Sequence, residues 1–338
     1  MNGQPSDTYN KHVNYEIWKY NDFRLSKLKL KYIIPLFFSI IKELRKEDYD
    51  IVISSTQHPL YAKFVYILKP FFKYKLAYVN EVWEYHNVKH NIFSKLYEKL
   101  SLHILKKADF VLNEGIRSNN FAIQNGIPEK NCHIWPMAST DMKTKKLKST
   151  PDLEKVFNTK EKHINYAYIG RLTEPKGAKD LFNAFELLDT EHQNKSNLYI
   201  IGRGPLSEEL KKRAIQYSNV KILDWVNSSN LPYIYSQLDF FVLASHFDGF
   251  STVSCEAASM SLPLILTDKV GAVPDLICNN NGFVVPTKNP QELANAITKM
   301  IDLTEQERKE MGKISRINFE KCASIQININ TLYNICHD

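Results

Sequence analysis

Two carboxylates, Asp248 and Glu256, stand eight residues apart directly after the apolar run Phe240–Leu243. The residues between them include Gly249, Phe250, Ser251 and Thr252. Small residues at the start of a helix expose backbone N–H groups, which bind anions. One carboxylate on the loop and one a turn into the helix, together with the nearby N–H groups, can hold the hydroxyls and phosphate of a nucleotide-sugar. The alternative for Glu256 is a carboxylate that caps the helix.

Two cations mark a second turn. Gly170 closes the apolar run Ile164–Ile169, and Arg171 and Lys176 follow it before Gly177. Glycine allows the backbone to approach a ligand closely, and a helix N-terminus favours anions. The turn therefore suits a diphosphate. The alternative is a solvated turn with incidental charges.

Two more turns that contain glycine follow apolar runs. Gly202–Pro205 comes after Leu198–Ile201, and Gly271–Asp275 comes after Leu264–Leu266. In a parallel sheet these positions are the carboxyl ends of strands, where ligands bind. The four turns therefore predict one shared site. No GxGxxG follows any run, which disfavours a nicotinamide-dependent oxidoreductase.

The spacing of the apolar runs predicts the architecture. The chain has 338 residues, which favours two domains. Short apolar runs alternate with helical patterns, which is typical of an α/β protein with parallel sheets covered on both faces. The runs predicted as strands are Ile51–Ser54, Leu76–Val79, Phe110–Leu112, Cys132–Trp135, Ile164–Ile169, Leu198–Ile201, Val220–Leu223, Phe240–Leu243, Leu264–Leu266 and Phe283–Val285. Helices are predicted near 34–46, 91–107, 117–125, 178–188, 206–217 and 325–335.

A polar, lysine-rich stretch from Thr140 to Glu161 divides the two halves. We predict an N-terminal domain over residues 1–145 and a linker over 146–161. A C-terminal nucleotide-sugar-binding domain is predicted over 162–318. A final helix over 319–338 is predicted to pack back on the N-terminal domain.

The charge is concentrated in the first half. The whole chain carries 44 basic and 37 acidic residues, a net +7; residues 1–150 hold 24 and 14, hence +10, and the remainder 20 and 23, hence −3. Such a field suits an anionic partner: a membrane surface, a polyphosphate or a nucleic acid. The five cysteines form no CxxC pair, so they indicate neither a disulfide framework nor a zinc site, and a reducing cytosolic compartment fits best.

The motifs resemble the C-terminal half of the family 4 retaining glycosyltransferases (glycosyl transferases group 1). The match covers residues 164–300, in order and with compatible spacing. It comprises Gly170-Arg171-Leu172, Lys176-Gly177, Gly202 to Pro205, Ser245, Asp248-Gly249-Phe250, Glu256-Ala257, Pro263, Gly271, Asp275, and Asn281-Gly282 to Pro286. Asp248 and Asp275 stand where the family has Glu, and Ser261 stands where it often has Gly.

The resemblance implies a GT-B fold, in which two Rossmann-like parallel-sheet domains face a cleft. Resembling chains begin with an apolar strand and a glycine-rich loop. This chain begins with polar residues and enters near His12–Trp18 at what resembles the second strand. The N-terminal domain is therefore expected to lack its first strand.

The resemblance also implies roles for individual residues. Arg171 and Lys176 would hold the donor diphosphate and stabilise its charge as it leaves, and Asp248 would contact the donor sugar. Glu256 would bind the ribose. The remaining donor-site residues would be Gly170, Gly204, Trp225 near the base, Gly249, Phe250, Ser251 and Thr252.

On the acceptor side, the segment Val79–His86 resembles a family loop in the cleft. Its candidates for acceptor contact are Glu81 and His86. The alternative is a surface loop with a buried Trp83.

The activity implied is a hexosyltransferase that uses a UDP- or GDP-sugar as co-substrate and requires no metal. The acceptor would be lipid-linked or a glycan, in the assembly of a bacterial surface polysaccharide such as lipopolysaccharide or capsule. No nucleic acid is expected as a partner. Two alternatives remain: a non-catalytic partner subunit and a nucleotide-sugar epimerase. The DxD sequence Asp48-Tyr49-Asp50 precedes a predicted strand, so we interpret it as a loop rather than a metal site.

We expect a cytoplasmic protein at the inner face of the plasma membrane. The apolar stretch Tyr32–Ile41 has about ten residues, whereas a membrane span needs ~20. Basic residues flank it: Lys19, Arg24, Lys27, Lys29, Lys31, Lys42, Arg45 and Lys46. This pattern predicts peripheral contact with an anionic membrane. The alternative is a solvated face over a core helix.

Overall fold

The computed structural model describes residues 33–55, 59–84, 92–157, 163–278 and 280–337. The described residues contain two sheets, one of four strands and one of six, and every strand pair is parallel. The predicted strand near His12–Trp18 and the basic residues from Lys19 to Lys31 lie outside the described residues.

The first sheet has its strands in chain order. They are β1 (Ile51–Ser55), β2 (Lys75–Asn80), β3 (Phe110–Asn113) and β4 (Cys132–Ile134). The helices of this half are α1 (Ile33–Leu44), α2 (Pro59–Phe72), α3 (Ile92–Lys106) and α4 (Gly115–Gln124).

The second sheet has the order β10-β9-β8-β5-β6-β7. Its strands are β5 (Ile164–Ile169), β6 (Ser196–Ile201), β7 (Val220–Leu223), β8 (Phe240–Leu243), β9 (Leu264–Thr267) and β10 (Gly282–Val285). This is the doubly wound Rossmann order, whose switch point lies between β5 and β8. Ligands bind at such a point because the helices that follow the two strands cover opposite faces of the sheet.

Ten helices belong to the second half as described. They are α5 (Pro151–Phe157), α6 (Ala178–Glu186), α7 (Thr190–Asn194), α8 (Ser207–Ala214), α9 (Leu231–Ser236), α10 (Thr252–Ser259), α11 (Val273–Leu276), α12 (Pro290–Asp302), α13 (Glu305–Cys322) and α14 (Ile325–His337).

The predicted strands agree with the structure because central strands of a parallel sheet are buried on both faces. Every residue of β6, β8 and β9 is buried, so each strand appears in the sequence as an uninterrupted apolar run or nearly so. Each sheet has a hydrophobic core of its own.

The stretch predicted as a linker is partly folded. It contains α5, whose Leu153 and Phe157 are buried in the core of the second domain. The ring of Phe157 stacks on that of Tyr199, with centroids 4.4 Å apart. Met142 is buried in the same core, so the second domain recruits chain well before the predicted boundary at residue 162. A seven-residue helix is not stable alone, so the packing of these two side chains against the second domain accounts for a helix in a polar segment.

The last helix returns to the first domain. Ile335 of α14 is buried against Ala77 and Leu112, on β2 and β3. Thr331 Oγ1 donates a hydrogen bond to the carbonyl of Ile134 (3.1 Å). Where the chain crosses, the N–H of Ser139 donates to the carbonyl of Ala323 (3.1 Å).

Among the described residues, no helix combines the length and the apolar character that a membrane crossing requires.

Candidate functional site

A lysine and an aspartate from separate turns meet at the switch point of the second sheet. Lys176 follows β5, Asp248 follows β8, and these two strands are neighbours. Lys176 Nζ lies 2.6 Å from Asp248 Oδ2, and the side chains are 23% and 17% exposed. Arg171, on the same turn as Lys176, is exposed. Its guanidinium has no hydrogen-bond or ion-pair partner within the described ranges, so this cation is available to an anionic ligand.

Gly177 brings the two turns together. Its φ is +71°, and a Cβ built there would lie 1.8 Å from the carbonyl oxygen of Ala244. The N–H of His246 also donates to the carbonyl of Pro175 (2.9 Å). The turn after β5 is thus packed backbone to backbone against the turn after β8, which only glycine permits.

The loop that carries Asp248 leads into α10. Ser251 has φ +84° and caps the helix, its Oγ accepting from the N–H of Ser254 (3.3 Å). The Phe250 side chain is only 2% exposed, and Thr252 Oγ1 contacts Met137 Sδ at 3.2 Å. The side chains of Phe250 and Ser251 are therefore committed within the protein. What these two residues can offer a donor is their backbone, with Gly249, which has no neighbour within 4 Å of a built Cβ.

Glu256 lies on α10 in a largely buried position. Tyr235 donates its hydroxyl to Glu256 Oε2 at 3.0 Å. Burial raises the pKa of Glu256 to about 7, and the Tyr235 hydrogen bond opposes that shift. Glu256 is thus a largely buried carboxyl that accepts a hydrogen bond from Tyr235.

The outer part of the predicted donor site lies beyond β6 and β7. Gly204 donates its N–H to Ser207 Oγ (3.0 Å). Trp225 follows the edge strand β7 with 61% of its surface exposed. Beside it, Asp224 lies 3.8 Å from both Arg203 and Lys211. Gly170 directly follows β5, at the same end of the sheet.

The first domain presents polar side chains at the ends of β2 and β3. Asn80 Nδ2 donates to Asn113 Oδ1 (2.8 Å), and both residues are fully buried. Glu114 is 7% exposed; burial, with a smaller contribution from the charge of Glu81, raises its pKa to about 8. Glu81 follows β2 and is half-buried, whereas His86 lies outside the described residues.

Glu114 was missing from the sequence-based prediction. Its signal was available, because it lies two residues after the predicted strand Phe110–Leu112, in a turn like those that follow the strands of the second domain.

The two domains touch beside this site. The N–H of Ile116 donates to both carboxylate oxygens of Asp275, at 3.1 and 3.2 Å. Burial raises the pKa of Asp275 to about 7, and the Ile116 N–H and Arg117 oppose that shift. The ends of β2 and β3 therefore face those of β8 and β9 across a cleft.

No cluster of three or more His, Cys, Asp or Glu side chains suitable for a metal ion occurs in the described part of the chain. Asp48 and Asp50 lie in the loop between α1 and β1.

Comparison with known proteins identifies the class. A family model described as glycosyl transferases group 1 matches residues 149–317, half of the chain. An uncharacterised glycosyltransferase of Methanocaldococcus jannaschii is 25% identical over 309 residues, covering 86% of this chain and 76% of that protein. The capsular polysaccharide biosynthesis glycosyltransferase CapM of Staphylococcus aureus is 28% identical over 174 residues, covering 49% of this chain and 45% of CapM.

The solved structures agree on the fold. Anabaena HepE in complex with UDP superposes with a TM-score of 0.73 at 17% identity, over 90% of this chain and 82% of HepE. Two facing parallel-sheet domains and this superposition define the GT-B fold and confirm the fold predicted from the sequence. The chain belongs to the glycosyl transferases group 1 family and is a glycosyltransferase.

Proposed function

We propose that the chain transfers a hexosyl group from a UDP- or GDP-sugar to a lipid-linked or glycan acceptor in the biosynthesis of a surface polysaccharide. Two comparisons support this proposal. CapM is named for capsular polysaccharide biosynthesis, and HepE was crystallised with UDP. The observation that carries it is the contact of Lys176 with Asp248 at the switch point of the second sheet.

In this proposal the donor separates Lys176 from Asp248, and each side chain then contacts the donor instead. Lys176 turns from Asp248 to the diphosphate, beside the exposed guanidinium of Arg171. Asp248 is thereby released to accept hydrogen bonds from the hydroxyls of the donor sugar. Glu256 accepts from the ribose hydroxyls, and the base lies near Trp225.

The reaction proceeds with retention of configuration. The bond between the anomeric carbon and the β-phosphate oxygen breaks, and the acceptor oxygen attacks from the same face. The acceptor proton passes to the departing phosphate oxygen. Arg171, Lys176 and the helix N-termini neutralise the growing negative charge, and cations fixed in advance do so with little reorganisation. Glu81 and His86 contact the acceptor.

The test begins with donor binding. Saturation-transfer NMR against a panel of nucleotide-sugars should select one donor, and calorimetry should rank UDP and GDP. The anomeric configuration of the product, measured by NMR, should equal that of the donor. An inverted product or an absolute requirement for Mg²⁺ contradicts the mechanism. Release of an epimerised sugar in the absence of any acceptor identifies an epimerase instead.

The helices of the first domain supply a surface for the membrane. Several large apolar side chains of α1, α2 and α3 are more than half exposed: Ile34, Phe38, Ile67, Phe71 and Leu96. Lys42 lies in the last turn of α1, and Arg45 and Lys46 follow that helix. Apolar side chains with adjacent basic ones suit the interface of an anionic bilayer. We include such contact in the proposal because a lipid-linked acceptor would be presented there.

A further inference from the structure

Trp83 holds the loop of the opposite domain on both sides of Asp248. Trp83 lies in the loop after β2, in the first domain. Its indole Nε1–H donates to the carbonyl of Gly249 (3.0 Å). Its ring stacks on Phe247, with centroids 5.0 Å apart and an interplanar angle of 19°. Both sequence neighbours of Asp248 are therefore fixed by one side chain from across the cleft.

Charged groups from both domains hold the indole in place. The Arg117 guanidinium lies 4.6 Å from the ring centroid, and its Nη1 donates to the carbonyl of Asp268 (2.7 Å). Lys269 Nζ lies 5.8 Å from the same centroid and 2.8 Å from a carboxylate oxygen of Glu84. Cations over a Trp face are attracted by its quadrupole, so these contacts define the position of the ring.

Gly271 leaves room for the indole hydrogen bond. A Cβ at this position would lie 1.6 Å from the Gly249 carbonyl oxygen and 2.9 Å from Trp83 Nε1. The N–H of Gly271 donates to the carbonyl of Asp248 (2.9 Å). The loop is thus supported from below by Gly271 and from across the cleft by Trp83.

We propose that Trp83 is a positioning residue, through which the first domain sets the conformation of the loop Phe247–Phe250. Asp248 then takes its working position only when the two domains are in contact. This proposal rests on the proposed function of Asp248 as the group that orients the donor sugar. The nucleotide contacts assigned to Arg171 and Glu256 lie within the second domain alone. Loss of Trp83 should therefore impair transfer while nucleotide binding persists.

The experiment compares Trp83→Ala, Trp83→Phe and the control Trp135→Phe in the full chain. The side chain of Trp135 packs in the small core between the first sheet and α14, with Leu332 and Ile335, and not against the loop Phe247–Phe250. Trp83→Phe keeps a ring for stacking but lacks the N–H donor. The measurements are kcat and KM for transfer, UDP affinity by calorimetry, and hydrogen exchange at the amides of Asp248 and Gly271, which are hydrogen-bonded within this loop region.

We expect Trp83→Ala to lower kcat by about 10- to 100-fold, the scale of a small misplacement of reacting groups. Trp83→Phe should lower it by about 5-fold, as for one lost hydrogen bond. Both variants should accelerate hydrogen exchange at the amides of Asp248 and Gly271. The UDP affinity should stay within about two-fold of the wild type, a smaller change than the loss of one hydrogen bond to UDP would cause. Trp135→Phe should match the wild type.

Wild-type exchange rates in Trp83→Phe, or a loss of UDP affinity parallel to the loss of kcat, would overturn the positioning role. If the wild type binds no nucleotide, the proposed function fails. The exchange rates still decide whether Trp83 orders the loop, because they do not depend on turnover.

Discussion

The two sheet edges that face the cleft differ in the contacts that shape them, although buried polar side chains such as Ser251 and Asp275 also lie on the side of the second sheet. On the side of the second sheet, backbone packs on backbone, as where Gly177 meets the carbonyl of Ala244. On the side of the first sheet, the strand ends carry buried polar side chains, Asn80, Asn113 and Glu114. A surface made of backbone keeps its shape when side chains vary. We therefore expect the donor side to tolerate few changes at glycines that meet another backbone, such as Gly177, and the acceptor side to be adjusted through its side chains.

The largest effect on kcat should come from Lys176, whose ammonium group is proposed to contact the donor diphosphate. Lys176→Ala should lower kcat by ~10²–10³, as for removal of one preorganised charge-stabilising group, while donor affinity falls less. Lys176→Arg should restore part of the rate, because a planar fork replaces a point charge. Steady-state kinetics with the selected donor measures both.

Lys179→Ala is the matched control, because Lys179 lies nearby on α6 and pairs with Glu209 on the surface. It should leave kcat unchanged. If Lys176→Ala alters only KM, Lys176 acts in ground-state binding and not on the leaving diphosphate. If Glu81→Gln, on the acceptor side, reduces donor binding as strongly, the division between the two edges does not hold.

Gly177→Ala tests the backbone contact itself. The new side chain would occupy a left-handed conformation and clash with a carbonyl, so the second domain should lose about 2–4 kcal/mol of unfolding free energy. Urea unfolding followed by circular dichroism measures the loss. Gly249→Ala is the control, because a Cβ there meets no atom within 4 Å, and it should cost less than about 1 kcal/mol. Equal losses would show that the packing at Gly177 is not limiting.

Above pH 7, where the carboxyl is ionised, Glu256→Ala should weaken nucleotide binding by ~1.5–3 kcal/mol, the scale of lost hydrogen bonds to a charged group. Calorimetry with UDP and GDP measures the change for the better ligand. Glu208→Ala, on the exposed surface of α8, is the control and should bind normally. Unchanged affinity in Glu256→Ala would remove this residue from the donor site.

The raised pKa of Glu256 also predicts a dependence on pH. The native carboxyl keeps its proton up to pH about 7, whereas the unfolded chain releases it near 4.5. Between these values the native state binds more protons, so its stability falls as pH rises through this window. Glu256→Gln should therefore be more stable than the wild type by about 3 kcal/mol at pH 8 and equal to it at pH 4.

Thermal unfolding at both pH values measures the difference. A gap between Glu256→Gln and the wild type that widens toward low pH would contradict the assignment, because the sign would be reversed.

The smallest effects should arise on the membrane side of the first domain. Lys42→Ala and Arg45→Ala should each weaken binding to anionic vesicles by ~1 kcal/mol, and salt should abolish the difference. Co-sedimentation with anionic and with neutral vesicles measures binding. Lys309→Ala and Lys313→Ala, exposed on α13 in the second domain, are the controls. Equal pelleting with both lipid types would contradict an electrostatic contact.

The strands of the second sheet, and the contact that forms at their ends, could be predicted from the sequence. Lys176 and Asp248 lie 72 residues apart in the sequence, yet their contact could be predicted. Each follows the carboxyl end of a strand in one parallel sheet, and such ends lie at the same edge. The strands themselves are buried on both faces and appear as apolar runs.

Other elements leave weaker traces in the sequence. Helix α2 was not predicted, because it begins at Pro59 and contains Pro70, two residues typical of helix boundaries. Helix α5 depends on two buried side chains in a lysine-rich segment. The bond from Trp83 to Gly249 joins residues 166 positions apart in separate domains, and no periodicity encodes such a contact.

The double passage of the chain between the domains has a mechanical consequence. The segment at Ser139 and the turn at Ala323, between α13 and α14, are joined by a hydrogen bond. On one side of this bond, the Arg316 guanidinium donates to the two carboxylate oxygens of Asp141, at 2.6 and 2.7 Å. On the other side, Asn328 Nδ2 donates to the carbonyl of Pro136, at 3.0 Å. Two adjacent chain connections between the domains permit rotation about one axis and resist twisting and sliding. We expect the loop after β2 to approach the loop Phe247–Phe250 along one path. Each time the two domains close, Trp83 should then return to the carbonyl of Gly249.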